Sequence, residues 1–389
     1  MRLVEVNSSA TIKAFHKVPF VVYKSDPHWI PHLKQDIEKV FTPKDNKFFR
    51  HGEITRWVLM DGNNPIGRVA AFINRKTANT FDYPTGGMGF FDCINNKEAA
   101  YLLFDQCKAW LAKREMEAME GPVNFGEKDK YWGLIIQNFE ADPYYQQNYN
   151  PEYYKEFFES YGFKVYYEQY VFYRVITDKL PDLFVERSNR VYRDKNYSFE
   201  KIDPRRLEKY AEDFRIVYNR AWVTSHSNFA EMSKAKALIA MKSMKPILDP
   251  ELVYFAYYND RPIGFFIMVP NVNEIFKYVN GNLNWWGKLK FLYYRWRKVS
   301  KTCIGVAFGI DPDFQGKGVE SSLFVQMRDL IQTTERYNHL YVAWVGDFNP
   351  KMIRLLEGLE TEIFRTMATY MKLFDENAPY KRRAINKNR

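Results

Sequence analysis

Two stretches of this chain, 197 residues apart, repeat one pattern. "WVLMDGNNPIGRVAAFI" (Trp57 to Ile73) and "YFAYYNDRPIGFFIMV" (Tyr254 to Val269) are apolar runs broken by an Asn/Asp turn and resumed after Pro-Ile-Gly, the signal of a β-hairpin. Each is followed by a strand-like run with a similar ending, Gly89-Phe90-Phe91-Asp92 and Phe308-Gly309-Ile310-Asp311, that leads into an amphipathic helix. A third pair, Asn150-Pro151-Glu152 and Asn349-Pro350-Lys351, opens a further helix. The separations are 197, 219 and 199 residues, so the order survives with one surplus loop per half: Phe125 to Tyr149 in the first, Pro270 to Lys301 in the second. Two copies of one strand-and-helix unit are expected, as the length of 389 residues also suggests.

With 46% hydrophobic and 17% aromatic residues the chain can bury sizeable cores. The net charge of +10 favours anionic partners: nucleic acid, an anionic cofactor or an anionic membrane surface. Cys93, Cys107 and Cys303 are odd in number and widely spaced, which suggests neither a disulfide framework nor a zinc site and fits a reducing cytoplasm. His16, His28, His32, His51 and His339 lack metal spacing, so no metal is expected. The start, MRLVEVNSSATIKAFHKVPF, has no apolar core of signal-peptide length, and no stretch approaches the roughly 18 apolar residues of a spanning helix. The expectation is a cytoplasmic protein, or one resting at the inner membrane surface.

Thr302 to Ile310, "TCIGVAFGI", reads as a strand, and Val319, Leu323, Met327, Leu330 and Ile331 share one helical face, so Gln315-Gly316-Lys317-Gly318 joins strand to helix. There the helix offers unpaired N–H groups, the glycines admit an anion close to the backbone, and Lys317 adds charge; a tight turn that needs glycine only for its dihedrals is the alternative. Gln315-x-x-Gly318 after Ile310-Asp311-Pro312 resembles the pyrophosphate motif of the GNAT superfamily of acyl-CoA N-acyltransferases, Gln/Arg-x-x-Gly-x-Gly/Ala. Asn349 opening a helix, and Asn150 running on to Tyr161-Gly162-Phe163, are similar to that superfamily too. With "YKSDPHWIPHL", "NKFFRHGE" and "DPDFQGKGVESSL", the whole chain resembles a group of bacterial tandem-GNAT proteins, some of them connected with acylating long-chain amine bases in sphingolipid synthesis.

The resemblance implies an α/β fold of two tandem GNAT-like domains, each a mixed sheet flanked by helices: 1–176 a degenerate copy, 177–206 a connection, 207–375 the domain with the pyrophosphate loop, and 376–389 a basic, fraying tail. It implies acetyl-CoA or a longer acyl-CoA as co-substrate, held by Phe308, Gly309, Ile310, Gln315, Gly316, Lys317, Gly318, Val319, Glu320, Ser321 and Asn349. The first half has Ile94-Asn95-Asn96-Lys97-Glu98 where the loop should be, so CoA is expected only in the second. There Glu320 replaces the final Gly/Ala, and its carboxylate about 5 Å from a phosphate charge would oppose binding by roughly 1–3 kcal/mol.

Amide formation needs a base for the amine and an acid for the leaving thiolate. The superfamily's usual Tyr acid is missing, since Leu355-Leu356 stand in the helix after Asn349. Three residues are candidate catalytic groups: Asp347 at a strand end (or the acceptor that starts the next helix), Tyr370 on the last strand (or a packing residue), and His226 in Ser225-His226-Ser227-Asn228 (or an exposed loop residue). Asn219 and Trp222 fall on the acceptor side, and the aromatic stretch Tyr131 to Tyr154 is expected to supply walls. The surplus loop of residues 271–301 interleaves Trp285, Trp286, Phe291, Tyr293, Tyr294 and Trp296 with Lys288, Lys290, Arg295, Arg297 and Lys298. That composition suits a lid on the other half, a lipid headgroup layer or a lipid acceptor, or nucleic acid. The functional expectation is an acyl-CoA-dependent N-acyltransferase, active in the second half on a hydrophobic or long-chain amine. The alternatives are a catalytically inactive binding or scaffold protein, and an aminoacyl-tRNA-dependent transferase whose long helical arm this insertion does not resemble.

Overall fold

The computed structural model describes residues 1–223, 231–334 and 336–385. The first half comprises β1 (Arg2–Glu5), α1 (Ser9–Val22), α2 (Lys34–Val40), β2 (Gly52–Asp61), β3 (Asn64–Asn74), β4 (Thr85–Cys93), α3 (Lys97–Ala112), β5 (Ala118–Gly121), β6 (Leu134–Gln137), α4 (Tyr153–Tyr161) and β7 (Lys164–Val175). The chain continues with α5 (Asp182–Arg193), β8 (Tyr197–Lys201), α6 (Leu207–Tyr218), a π-turn (Asn219–Val223), α7 (Lys234–Met244), β9 (Val253–Tyr258), β10 (Arg261–Pro270), α8 (Asn273–Phe276) and α9 (Trp285–Trp296). The last elements are β11 (Thr302–Ile310), α10 (Val319–Thr334), β12 (His339–Gly346), α11 (Pro350–Gly358) and β13 (Glu362–Leu373).

Both Pro-Ile-Gly strings open the second strand of an antiparallel hairpin, β2–β3 and β9–β10. At the second turn Asn259 and Asp260 both take positive φ, the conformation whose twist matches that of the flanking strands. Each half continues with a strand, a helix and a parallel strand, β4–α3–β5 and β11–α10–β12, and these give the two parallel pairings in the sheet. Apolar faces cover both sides of each sheet half. In the first, Leu103 and Phe104 of α3 meet Phe158 of α4 on one face, and Phe15 of α1 meets Phe72 and Phe90 on the other. In the second, Leu323 and Met327 of α10 lie on one face, and Phe214 and Met241 of α6 and α7 on the other. The architecture is thus a mixed α/β sheet flanked by helices.

The halves share one sheet, in the order β1-β2-β3-β4-β5-β13-β7-β12-β11-β10-β9-β8, with β6 also on β13. The last strand of the chain lies between β5 and β7 of the first half, and β7 pairs with β12 of the second. Each half therefore completes the other. The segment 177–206, expected as a connection, carries α5, which packs on α10, and the edge strand β8 on β9. Within the described part of the tail that was expected to fray, the Arg383 N–H donates to the Tyr166 carbonyl (3.0 Å) and Tyr380 Oη to the Val165 carbonyl (2.6 Å).

Candidate active site

β11 and β12 run paired only from Thr302–Gly305 against His339–Val342. Beyond, β11 stays with β10 to Ile310 while β12 stays with β7 through Val345 and Gly346, so the sheet forks. Val306, at the fork, is 47% exposed although it lies mid-sheet. The glycine loop closes the β11 arm. Gly316 (φ +73°) faces open space, whereas a side chain at Gly318 (φ +92°) would meet the Arg187 carbonyl at 3.0 Å, so α5 sets how the loop lies on its helix. Gln315 braces the loop, donating from Nε2 to the Ile310 carbonyl (3.1 Å) and accepting from Lys351 Nζ of α11 (2.6 Å). Behind it the buried Asp311 accepts from Arg220 (2.5 Å) and Arg261 (2.6 Å). Burial opposes its ionisation, but these bonds and the Asp313 N–H prevail and hold the carboxyl below its usual range.

The loop amide that faces outward is already engaged: the Gly316 N–H donates to Glu320 Oε1 at 3.0 Å. A carboxylate of the protein's own helix thus sits on a group able to hold a phosphate, with Lys317 exposed beside it. Ile310 and Val319 are buried beneath the loop, Gly309 backs on Phe265, Phe308 stacks on Phe324 at 5.3 Å, and Ser321 is buried. Asn349 caps α11 by accepting the Met352 N–H (3.3 Å). The expected cofactor residues therefore gather at one corner, some as framework and some facing solvent.

On the acceptor side, Asn219 both accepts from and donates to the Met232 backbone (2.8 and 3.1 Å). Trp222 packs on Tyr218 and Phe265, in the cluster that includes Ala307 of the fork. His226, with Ser225, Ser227 and Asn228, lies outside the described residues. The other two catalytic candidates have partners of their own. Asp347 is tied to Arg382 (2.6 Å), and the helix-start role is taken by Asn349. Tyr370 is fully buried in the first half against Phe158 and donates to Glu159 (3.1 Å), because β13 belongs to that side of the sheet; burial raises its hydroxyl pKa.

Sequence reasoning marked Phe125 to Tyr149 as the first half's surplus loop but did not foresee that residues 126–131 of it meet the fork. Trp344 of β12 donates from Nε1 to the Lys128 carbonyl (3.1 Å), so this loop is held at the β12 arm of the fork. Trp132, from the stretch expected to form walls, donates to Tyr167 Oη (2.7 Å), and Tyr167 packs on Trp344 and Phe348. Glu120 and Asp129 are pushed up and Lys128 is pushed down, burial being the largest cause for all three. Lys128 and Asp129 are nevertheless exposed residues. The sequence signal was the charge run "GEKDK" set against aromatic residues.

The first half forks too, after Thr85–Gly87 pairs with Ala118–Glu120, but its own chain fills the gap. The Val123 N–H donates to the Met88 carbonyl (2.7 Å), and a side chain at Gly89 would lie 1.8 Å from the Val123 carbonyl. Asn96 caps α3 with no glycine loop. Asp92, the counterpart of Asp311, is buried between Arg68 and Tyr23 (both 2.6 Å). Beside it is a cavity of about 30 Å³, bordered by His16, His32 and Tyr131. Among the described residues no cluster of three His, Cys, Asp or Glu could hold a metal ion, and no helix is long and apolar enough to cross a membrane.

No known family's profile matches the chain. It is 24% identical over 377 residues, 96% of this chain and 97% of the relative, to a protein named bacterial ceramide synthase from Caulobacter vibrioides. A tandem GNAT protein from the clavulanic acid biosynthesis pathway superposes with a TM-score of 0.56 at 9% identity, covering 98% of this chain and 99% of that one. The GCN5-related glucosamine N-acetyltransferase region of a fungal multi-domain β-N-acetylglucosaminidase gives 0.56 at 12% identity; 95% of this chain is covered, but only 38% of that longer one. A continuous forked sheet, two strand–helix–strand repeats and these likenesses along nearly the whole length agree: the fold of this chain is that of the tandem GNAT proteins.

Proposed function

We propose that this protein is an N-acyltransferase that moves an acyl group from acyl-CoA to a hydrophobic, long-chain amine at the fork between β11 and β12. The observation that carries the reading is the fork itself: two parallel strands parted below a glycine loop, with the apolar Val306 exposed between them. The relative named a ceramide synthase supports a long-chain amine as acceptor. Acyl transfer forms the C–N bond and breaks the C–S bond; the ammonium first gives one proton to a base and solvent, and the attacking amine then gives up a second as the thiolate takes one. In this reading Lys317 and the loop amides receive the pyrophosphate, and Trp222 and Tyr218 line the acceptor side. Asp129, in the loop that Trp344 of β12 holds by the Lys128 carbonyl, and Glu120 are the candidate bases, and burial raises the pKa of both. His226 remains the acceptor-side candidate from the sequence, and the first half, its own fork sealed, serves as wall.

One observation favours a second reading, a GNAT-fold binding protein without catalysis: the Glu320 carboxylate occupies one of the loop amides, that of Gly316. Calorimetric titration with CoA, acetyl-CoA and palmitoyl-CoA, alongside Glu320→Ala, separates the two. The acyltransferase reading expects palmitoyl-CoA to bind and the substitution to tighten it by roughly 5- to 150-fold, the worth of one removed repulsion of about 1–3 kcal/mol. It also expects CoA thiol to appear when a long-chain amine base is added. If neither protein binds any thioester, the acyltransferase reading fails and the binding protein remains.

A further inference from the structure

The surplus loop of the second half folds into α8 and α9 and stands on the first half. Val272, Phe276 and Val279 join Ile30 and Leu33 in one apolar cluster, and the Lys34 N–H donates to the Gly281 carbonyl (3.0 Å). α9 is well anchored on its inner side: Asn284 caps it, Phe291 stacks on Phe276 (5.5 Å) and Tyr294 on Tyr278 (4.1 Å). Its outer side is a different surface. Trp285, Trp286, Leu289, Leu292, Tyr293 and Trp296 are all exposed, Trp296 by 73%. At 100° per residue these six fall within an arc of about 120°, along a helix about 18 Å long. Lys288 and Lys290 border the arc on opposite sides, and Arg297, Lys298 and Lys301 follow it.

From Ile275 to Ile310 the chain has seven Lys or Arg and no Asp or Glu. Beneath α9 is a cavity of about 160 Å³ bordered by Arg295, Lys298 and Arg336, and also by Asp249, which is paired with Arg336; the Arg336 Nε–H has no hydrogen-bond partner. We propose that α9 docks this protein on an anionic phospholipid bilayer, with its apolar arc in the interface and its cations on the headgroup phosphates. Trp and Tyr suit that depth because their rings are apolar with one polar edge, and Lys lets its stem lie along the apolar layer while its charge reaches water. A second copy of the chain fits the surface poorly, since pairing two such faces would bring cations together without a carboxylate between them. An anionic bilayer complements both the charge and the apolar arc.

The proposal goes beyond acyl transfer and is tested without any thioester, so the two fail separately. The full-length protein is pelleted with vesicles of phosphatidylcholine alone or mixed with phosphatidylglycerol, at low and high salt. Expected is binding to the anionic vesicles at least about tenfold tighter than to the neutral ones, weakened by salt. Trp285→Ala with Trp286→Ala and Trp296→Ala, and separately Lys288→Glu with Arg297→Glu, should each weaken it by about tenfold or more while the circular dichroism spectrum and Tm stay as in the parent. Unchanged binding by both variants overturns the proposal, as does failure of the parent to bind. Self-association, or retention on single-stranded DNA, that the same variants abolish in place of vesicle binding overturns it equally.

Discussion

Glu320 shows how a single residue can be read in sequence and still be misjudged. Its departure from the Gly/Ala of the motif was visible, and repulsion of a phosphate followed from charge alone; that it would claim the Gly316 N–H depended on a rotamer. Glu120, Lys128 and Asp129 were not legible at all, because their shifts come from atoms brought close only by folding. His32 carries the pH prediction. Burial, and after it Arg68, pushes its imidazole down to about 4 against the partial support of Asp36. The native state keeps it neutral while the unfolded chain takes up a proton below about 6.5, so its contribution is intact above that pH and is lost as pH falls toward 4. The expected loss between pH 7 and pH 5 is about 2 kcal/mol. Urea midpoints at the two pH values should therefore converge in His32→Gln, and an unchanged gap would assign the pH dependence elsewhere.

Among the elements, the repeated ones were legible and the joining ones were not. The Pro-Ile-Gly hairpins, the strand into the glycine loop and the helix after Asn349 all announce themselves by local pattern. α5 and β8 hid behind Pro181 and Pro204, which read as breaks. Pro181 in fact immediately precedes α5, where a missing N–H costs nothing, and Pro204 falls just past the end of β8. The seal on the first half's fork rests on a similar close approach. Gly89→Ala should destabilise the protein by about 2 kcal/mol or more, since the new methyl meets the Val123 carbonyl at 1.8 Å and that segment is itself buried. Equilibrium unfolding in urea measures this; a change below about 0.5 kcal/mol would mean that residues 121–125 give way easily.

For the whole molecule, the tandem plan was legible because three landmarks keep their order, but the crossing of the final strand was not. "EIFRTMATYMKL" says strand and does not say whose neighbour, because strand pairing is decided by packing across the entire chain. That crossing makes the halves interdependent. Residues 1–176 expressed alone should aggregate, residues 177–389 co-expressed with them should rescue and copurify, and the intact chain should melt in one transition. A soluble, folded first half on its own would refute this. The arrangement also has a consequence in time. Roughly 190 residues separate the end of β7 from β13. At about 5–20 residues per second a ribosome needs on the order of 10–40 s to supply them. Throughout that interval the edges of β5 and β7 await their partner, open to pairing with other chains until β13 closes the sheet between them.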